Sequence, residues 1–555
     1  MPVEKALWNQ RVLMRDGVEI AADVMLPKGD GPFPSVVIRT PYERGLAVVR
    51  PDGCLRLVGK GYALVNVDVR GRNDSEGKWR PWVNDSEDAY DVIEWVAAQS
   101  WSTGQVGMVG GSYVALTQWW AAAAHPPHLS CIVPLCVGVT RSKRGFGNTG
   151  LPSQYWLWWL AYVTGKIVQN PGSPCWEAQF TSLPLKSLDQ RMGFEGSAWQ
   201  QYVSGEIEFS AEPGTLSDED FAAIDIPVLI GVGWWDDQTT MDTWMALQQA
   251  QSVKDCRLLI GAWDHIRNTR PPSVLGGIDV ANSQMDTISY MEQFLAMHLK
   301  GESNDLSEAP RCKLFDLGSD HWEQLDDWPH PEAVATPIYL DSDGDARGLK
   351  GSGRLVACSR ASKSSDTYIY DPNHPSRDMG NLDQFAFSDP PLDHRYLHRR
   401  DDVLVYDSVV LDKPLSLSGL VVLKAYLSSD RPDTDLFVGI SDVHPDGRAI
   451  GLFATNEPKG GLRLRYRNGP DEELMTPGEI YEAEVPGVWL HHTFKTGHRL
   501  RITIHSNDFP FAARNAGTGK HWAEDTELLP QANTIHYGPE HPSHVVLPIV
   551  SGELN

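Results

Sequence analysis

The sequence predicts an α/β domain that carries an inserted helical segment and is followed by a β-rich domain. Short β-branched runs alternate with helical patterns over the first third of the chain and again from residue 226 to about 306. This alternation is typical of a parallel sheet covered by helices on both faces. From about 142 to 225 the pattern changes to helical pieces rich in Trp, Gly and Pro, and beyond about 306 it changes to short strands joined by turns.

The first part of the chain is expected to begin with a hairpin around Asp16-Gly17 and to continue with buried strands. A helix is predicted between Asn84 and Gln99, where apolar side chains recur at helical spacing and Asn84, Asp85 or Ser86 can cap the first turn. The remaining predicted elements are strands at Ser35–Arg39, Ala63–Val67, Val106–Val109 and Cys131–Leu135, and a helix at Val114–Ala124.

After the insertion the strand pattern resumes, and a helix over Met285–Leu299 is expected to close the sheet domain. The elements between are strands at Pro227–Val232 and Arg257–Gly261 and a helix at Thr240–Ala250. The last third then predicts a sandwich or jelly roll, with strands at Thr336–Leu340, Val403–Tyr406, Gly419–Leu427, Leu462–Tyr466 and Leu500–Ile504.

Composition excludes several function classes. The 555 residues include 48 Lys and Arg against 73 Asp and Glu, a net charge of −25, which argues against a nucleic-acid partner or an anionic membrane surface. No apolar run approaches a membrane span, and the N-terminus lacks a secretory stretch. Seven cysteines are a sparse, odd set, as expected of a reduced cytoplasmic protein.

The sharpest local signal is Ser112, which follows an apolar strand and Gly110-Gly111 and precedes a helix. This strand–turn–helix context is typical of a nucleophile elbow, in which the helix N-terminus points its dipole at the reacting oxygen. Val114 stands where the last glycine of the G-x-S-x-G pattern belongs. A glycine-rich turn with a passive serine is the alternative interpretation of this segment.

A serine nucleophile needs a base and a carboxylate that orients the base. Asp236 follows the strand Pro227–Val232, with Asp237 as its rival, and His265 follows the strand Arg257–Gly261. The carboxyl ends of parallel strands meet at one edge of a sheet, where sites form in such folds. The order Ser, Asp, His is that of the α/β-hydrolases, so the sequence predicts Ser112, Asp236 and His265 as a catalytic triad.

With these residues the sequence resembles the cocaine esterase and X-Pro dipeptidyl-peptidase-like serine hydrolases, and within them the cocaine esterase branch. Further matches extend over nearly the whole chain, which makes the resemblance specific. The stretches that carry it are Arg39–Glu43, Asp68–Gly71, Ser75–Gly77, Val106–Met108, Gly110–Tyr113, Gly233–Asp236, Gly261–His265, Asp442–Ala449, Ser506–Pro510 and Gly538–His544.

The resemblance implies an α/β-hydrolase domain with an inserted helical cap and a C-terminal jelly-roll domain. The segments above place the hydrolase domain at 1–141 and 226–306, the cap at 142–225 and the jelly roll at 307–555. The resemblance also implies an oxyanion hole made by the Tyr42 hydroxyl and the backbone amide of Tyr113. Ala115 stands where the family usually has glycine.

The function expected is a serine hydrolase that cleaves a small-molecule ester, with an amide as second choice. An X-Pro dipeptidyl-peptidase or an α-amino acid ester hydrolase is the alternative. A carbohydrate-binding module is a third hypothesis, which rests on the β-rich last third of the chain alone. No cofactor is expected, and the oligomeric state stays open, with a homodimer as one possibility.

Four further groups of residues carry less specific signals. The aromatic stretch Tyr155–Tyr162 either packs in a core or forms an apolar wall for an acyl or alcohol group. His491, His492 and His498 are expected to be ordinary strand or loop residues, since their spacing fits no helical metal motif. Asp341–Asp345 is expected to be a solvated turn, because it lacks the later residues of a calcium loop. Cys131 and Cys136 are expected to be small apolar side chains in or near a buried strand.

Overall fold

The structure is a computed structural model that describes residues 3–45, 55–139, 149–169, 176–193, 197–204, 216–376, 392–452 and 460–554. The expected boundary near residue 142 lies outside this range, as do parts of the expected insertion. The described chain forms an α/β core followed by a β-rich C-terminal domain.

The α/β core contains ten strands of one sheet within the described residues and a two-stranded hairpin. The strands are β1 (Val3–Leu13), β2 (Glu19–Pro27), β3 (Phe33–Thr40), β4 (Ala63–Asp68), β5 (Ser102–Gly111), β6 (Leu129–Leu135), β7 (Val228–Gly233), β8 (Cys256–Gly261), β9 (Val274–Leu275), β10 (Ile278–Asp279), β11 (Cys312–Asp316) and β12 (His321–Leu325). The sheet order is β1-β2-β4-β3-β5-β6-β7-β8-β11-β12, and the hairpin pairs β9 with β10.

The middle of this sheet is parallel and the two edges are antiparallel. Seven strands, from β4 through β3, β5, β6, β7 and β8 to β11, run in the same direction. The antiparallel pairs are β1–β2, β2–β4 and β11–β12. Strands β4, β7 and β8 are buried along their whole length, as expected for strands covered by helices on both faces.

All but the last of the described helices pack on the cores of the α/β domain. The helices are α1 (Leu55–Gly59), α2 (Asp85–Ala97), α3 (Tyr113–Ala123), α4 (Tyr155–Tyr162), α5 (Trp176–Thr181), α6 (Leu188–Arg191), α7 (Ser197–Val203), α8 (Asp218–Ala223), α9 (Thr239–Ala250), α10 (Thr287–Lys300) and α11 (Arg395–His398). Helices α2, α3 and α9 share one apolar core with the sheet, and α1 and α10 share another. Helices α4 to α8 lie in the segment predicted as an insertion, and α4 and α5 also pack on the first core.

The β-rich domain contains twelve strands within the described residues. They are β13 (Val334–Asp341), β14 (Arg354–Val356), β15 (Ser364–Tyr370), β16 (Leu404–Asp407), β17 (Leu415–Ser429), β18 (Asp435–Val443), β19 (Ala449–Gly451), β20 (Gly461–Arg463), β21 (Tyr481–Phe494), β22 (Arg499–His505), β23 (Gln531–Tyr537) and β24 (His544–Ser551). Their order is β15-β23-β17-β24-β13-β14-β16-β22-β18-β19, with β20 on β18 and β21 on β17. Their apolar faces enclose a separate core.

Two details of the fold differ from the sequence analysis. The first sheet does not end at Leu306 but continues with β11, which joins β8 in parallel, and with β12. These strands are only five residues long and contain charged residues, so their composition alone did not mark them. The predicted strand Leu462–Tyr466 becomes a 3₁₀ helix from Leu464, where Arg463 and Arg465 turn inward to buried carboxylates.

Two tryptophans join the α/β core to the β-rich domain. The Trp235 indole N–H donates to the carbonyl oxygen of Gly451 at 3.0 Å. From the other side, the Trp489 indole N–H donates to Asp242 Oδ1 at 2.7 Å. Buried indole N–H groups need such partners, so these contacts lock the two domains in one relative position. No helix of the described chain combines the length and the apolar character needed to cross a bilayer.

Candidate active site

The residues predicted to carry chemistry all lie at the carboxyl edge of the parallel strands. Tyr42 follows β3, Ser112 follows β5, Asp236 follows β7 and His265 follows β8, each within a few residues of the strand end. Neighbouring parallel strands end side by side, so their succeeding loops converge at this edge.

Ser112 occupies a strained turn between β5 and α3. Its backbone has φ 61° and ψ −134°, a combination that residues with a Cβ rarely adopt. Its N–H donates to the carbonyl oxygen of Leu135 at 3.0 Å, which holds the turn in place. Gly110 has φ +139°, and a Cβ there would lie 2.3 Å from the side chain of Val114. The turn therefore requires glycine at 110, and it presents the serine side chain at the start of a helix.

Ala115, which stands where glycine is usual in the family that the sequence resembles, leaves this turn intact. Helix α3 is continuous through Ala115, whose side chain is fully buried. The Ala115 N–H donates to the Ser112 carbonyl oxygen at 2.8 Å, which closes the first turn of the helix. The extra methyl group is therefore accommodated in the apolar core next to the elbow.

His265 and Asp236 form a buried pair. The His265 Nδ1–H donates to Asp236 Oδ1 at 2.8 Å, and the carboxylate is inaccessible to solvent. Burial lowers the pKa of His265, but the attraction of the Asp236 carboxylate, with Asp237 and Asp264 behind it, outweighs burial and raises the pKa above its ordinary value. The pair is therefore arranged to hold one imidazole tautomer and to stabilise the imidazolium.

Asp237, the alternative to Asp236, has a different task. Its carboxylate accepts hydrogen bonds from the N–H and the hydroxyl of Thr239, both at 2.7 Å, and from the Gly138 N–H at 3.3 Å. Burial raises its pKa above the ordinary aspartate value. These contacts stabilise the start of α9, and the structure pairs His265 with Asp236.

The segment Gly233–Asp236 is anchored on both sides of the carboxylate. The Trp234 indole N–H donates to the Phe315 carbonyl oxygen at 2.7 Å, and Trp235 reaches the β-rich domain as described. A Cβ at residue 233 would lie 1.9 Å from the Trp263 carbonyl oxygen, so this close approach requires glycine. The two tryptophans therefore fix the position of Asp236 between two sheets.

Tyr42 lies beside the serine. Its Oη is 3.3 Å from Ser112 Oγ, and the Trp159 indole N–H donates to the same Oη at 3.3 Å. The backbone N–H of Tyr113 also faces this hydroxyl. Burial raises the pKa of Tyr42, so the phenol stays neutral and can donate a hydrogen bond. Within the described chain, no hydrogen bond joins Ser112 to His265, and the serine hydroxyl is turned toward Tyr42.

The side chain of Tyr113 is held by a buried carboxylate. Its hydroxyl donates to Asp85 Oδ2 at 2.6 Å and accepts from the Trp82 N–H at 2.8 Å. Burial raises the pKa of Asp85 to about 6, while the neighbouring Arg39 guanidinium opposes that rise. The sequence analysis weighed Asp85 only as a helix cap. In the structure this carboxylate orients the side chain of the residue after Ser112.

The aromatic helix α4 packs in the core, one of the two alternatives that the sequence left open, and it also reaches the side chains beside Ser112. Trp158 and Trp159 are buried in the core of the α/β domain, as core packing predicts. Trp159 also stacks on Tyr113 with ring centroids 5.4 Å apart and donates to Tyr42. The helix therefore packs directly on the side chains next to the serine.

Cys136, expected from the sequence to be a small apolar side chain, lies beside the Asp236–His265 pair. It follows β6 with φ +71°, and its sulfur, one Asp236 oxygen and one His265 nitrogen lie within 4.8 Å of one another. Burial raises the pKa of this thiol above its ordinary value, and the Asp236 charge adds to the effect. The thiol is therefore neutral and unreactive, as a buried apolar side chain would be.

Two family profiles match the chain, one on each side of residue 300. Residues 16–267 match the X-Pro dipeptidyl-peptidase (S15 family). Residues 304–546 match the X-Pro dipeptidyl-peptidase C-terminal non-catalytic domain. The two matches divide the chain close to the start of the β-rich domain, although β11 and β12 of the first sheet fall within the second match.

Full-length relatives support the same grouping. Cocaine esterase of Rhodococcus sp. (strain MB1 Bresler) is 34% identical over 98% of this chain and 98% of its own. Among solved structures, an α-amino acid ester hydrolase matches with a TM-score of 0.85 at 22% identity, covering 98% of this chain and 96% of its own. An aminopeptidase from a marine sediment archaeon, Thaumarchaeota archaeon, matches with a TM-score of 0.84 at 24% identity, covering 98% and 97%. At these identities the two structures show a common fold.

Proposed function

Because the chain belongs to the S15 family of X-Pro dipeptidyl-peptidases and cocaine esterase, we propose that it cleaves a small carboxylic ester through a Ser112 acyl-enzyme. The family and its serine esterase relatives make the protein a serine hydrolase that cleaves esters. The observation that carries the residue assignment is the convergence of Tyr42, Ser112 and the Asp236–His265 pair at one sheet edge.

In the proposed reaction Ser112 Oγ attacks the substrate carbonyl carbon. His265 takes the hydroxyl proton and later delivers it to the leaving alcohol, while Asp236 fixes the imidazole tautomer. Oγ now points to Tyr42, so a rotation about the serine Cα–Cβ bond has to bring it to His265 before attack. Catalytic hydrogen bonds often tighten only once substrate is bound.

The same rotation frees the Tyr42 hydroxyl. In the proposed tetrahedral intermediate this hydroxyl and the Tyr113 backbone N–H donate to the oxyanion. Two observations support this role: the N–H faces the hydroxyl, and the Tyr42 phenol is neutral because burial raises its pKa. Donors that are held in place before the reaction stabilise the developing charge without reorganisation.

The substrate is proposed to be a small ester with an apolar acyl or alcohol group. The aromatic side chains beside Tyr42, on helix α4, support this choice. We propose the segment 142–225 as a helical cap and the β-rich domain as a jelly roll. A cytoplasmic location with no nucleic-acid or membrane partner fits the net charge of −25. The mechanism uses no cofactor.

The peptidase alternative needs carboxylates that bind the free amine of the substrate. Three buried carboxylates near the serine already have partners: Asp85 holds Tyr113 and Arg39, Asp236 holds His265, and Asp264 holds Arg267. None of these three offers a free charge to an amine, which supports the ester substrate.

Two measurements test the proposal. A fluorophosphonate probe should label the wild-type protein and fail to label the Ser112→Ala variant, since only an activated serine reacts. A panel of p-nitrophenyl esters and X-Pro or amino-acid p-nitroanilides should show turnover of the esters. Faster turnover of the X-Pro substrates would favour the dipeptidyl-peptidase, and labelling of Ser112→Ala would reject the nucleophile.

A further inference from the structure

A cluster of imidazoles surrounds one buried carboxylate in the β-rich domain, away from the catalytic edge. The His498 Nδ1–H donates to Asp442 Oδ1 at 2.7 Å. The His492 Nε2–H donates to Asp442 Oδ2 at 3.0 Å, and His444 Nε2 lies 3.9 Å from the same oxygen. The rings of His444 and His498 are 4.5 Å apart.

The strand pairing brings these residues together. Asp442 lies near the end of β18, and His444 follows two positions later, so both project from the same side. His498 immediately precedes β22, which pairs with β18 so that Asp442 faces Leu500. One ligand atom each of Asp442, His444 and His498 lies within 4.8 Å of the others.

The geometry of the cluster matches a cation site. One oxygen of Asp442 and one ring nitrogen each of His444 and His498 lie within 4.8 Å of one another. Imidazole with carboxylate is a donor set that suits Zn²⁺ and similar ions. A histidine binds a metal only through a nitrogen that carries no proton, so an ion here would replace the hydrogen bond between His498 and Asp442.

Burial divides the cluster into inner and outer members. The side chains of Asp442 and His492 are 3% and 4% exposed, whereas those of His498 and His444 are 12% and 27% exposed. His492 therefore orients the carboxylate from the interior, as partners of metal ligands do. The two outer imidazoles leave access from solvent. Asp446 and Arg448, which both act on His444, pair with each other at 2.7 Å.

We propose that Asp442, His444 and His498 form a binding site for one divalent transition-metal ion of the Zn²⁺ type. Water completes the coordination, and His492 holds the carboxylate in position. Zinc sites with three protein ligands and one water are a common arrangement. The site lies in the β-rich domain, so its occupancy is proposed to affect the stability of this domain and not the chemistry at Ser112.

Among the described residues, two other clusters could compete for the ion, and they define the controls. Cys136, Asp236 and His265 form one, but it is the proposed triad, and occupation there would inhibit esterase activity. Asp316, Glu323 and His491 form the other. One Asp316 oxygen there already accepts three backbone N–H groups, which leaves its second oxygen for an ion, and His491→Ala tests this cluster.

The test is a calorimetric titration of chelator-treated full-length protein with Zn²⁺ in neutral buffer. The wild type should bind one equivalent and melt at a higher temperature with Zn²⁺ present. His444→Ala and, separately, His498→Ala should weaken binding by about tenfold or more. His374→Ala, which removes an exposed histidine paired with Asp371, should bind like the wild type.

Three outcomes would overturn the proposal: no stoichiometric binding by the wild type, unchanged affinity in both His444→Ala and His498→Ala, or loss of binding in His491→Ala instead. Inhibition of esterase activity at one equivalent of Zn²⁺ would also overturn it, since it places the ion at the triad. Circular dichroism checks that the variants fold. If His444→Ala does not, His444→Gln keeps a side chain of similar reach and must show the same weakened binding.

Discussion

Replacing Tyr42 with phenylalanine tests the proposed oxyanion hole more sharply than changing the triad does. Tyr42→Phe keeps the ring, which packs 5.9 Å from the ring of Tyr162, and removes only the hydroxyl. That hydroxyl is 3.3 Å from Ser112 Oγ and accepts from Trp159 at 3.3 Å. The substitution therefore separates hydrogen-bond donation from packing.

The expected effect on catalysis is large and the effect on stability is small. Loss of one oxyanion donor should lower kcat about 10²–10³-fold, or about 2.7–4 kcal/mol of transition-state stabilisation. The two ground-state contacts are long, and a typical hydrogen bond contributes only about 0.5–1.5 kcal/mol to stability. We therefore expect a Tm within a few degrees of the wild type, with KM little changed.

The assay is steady-state hydrolysis of a good p-nitrophenyl ester, with Tm measured on the same samples. The matched control is Tyr202→Phe, which also removes one buried phenol oxygen; it accepts from the Ser153 N–H at 2.9 Å. The control should affect Tm without a comparable loss in kcat. A kcat loss below about fivefold in Tyr42→Phe, against the expected 10²–10³, would refute the role of the hydroxyl.

Three further predictions follow from the same site and fold. Ser112→Ala should lower kcat on the order of 10⁶-fold with a wild-type circular dichroism spectrum, and a variant that keeps a tenth of the activity would contradict the assignment. Because only neutral His265 accepts a proton and its pKa is raised, kcat/KM of the wild type should rise with pH through a midpoint above 6.5. In Asp236→Asn, burial lowers the pKa of His265 without the Asp236 charge to oppose it, so the midpoint of the pH profile should move to lower pH. The kcat should also fall about 10⁴-fold, and a pH profile identical to the wild type would argue against the pair. Truncation after Leu306 should give insoluble protein, because it removes β11 and β12 from the first sheet and uncovers the surface of the α/β core that contacts the β-rich domain through Trp235 and Trp489. A soluble and active 1–306 fragment would show this reasoning wrong.

Local sequence pattern was sufficient to predict that the candidate site residues meet at one edge of the sheet. Ser112, Asp236 and His265 each follow a strand that can be identified from its own residues, and parallel strands end at a common edge. The preference for Asp236 over Asp237 was also made from position in the loop, and the structure pairs Asp236 with His265. These inferences needed only the order of elements along the chain, because the elements themselves impose the spatial arrangement.

Which side chains surround that site depended on tertiary structure. Trp159 and Tyr42 are 117 positions apart, and nothing in the pattern of an aromatic helix shows which loop it packs against. The same holds for the end of the first sheet, where β11 is selected by its pairing with β8 and not by its own composition.

Asp442 and the histidines around it show most clearly what the sequence pattern could not predict. The spacing of His491, His492 and His498 fits no local metal motif, and the sequence analysis treated them as ordinary residues. Pairing of β18 with β22 and of β21 with β17 brings imidazoles from three segments to one carboxylate. Periodicity along a chain reports which face of an element is buried, whereas the identity of the group opposite is decided only when distant segments pack.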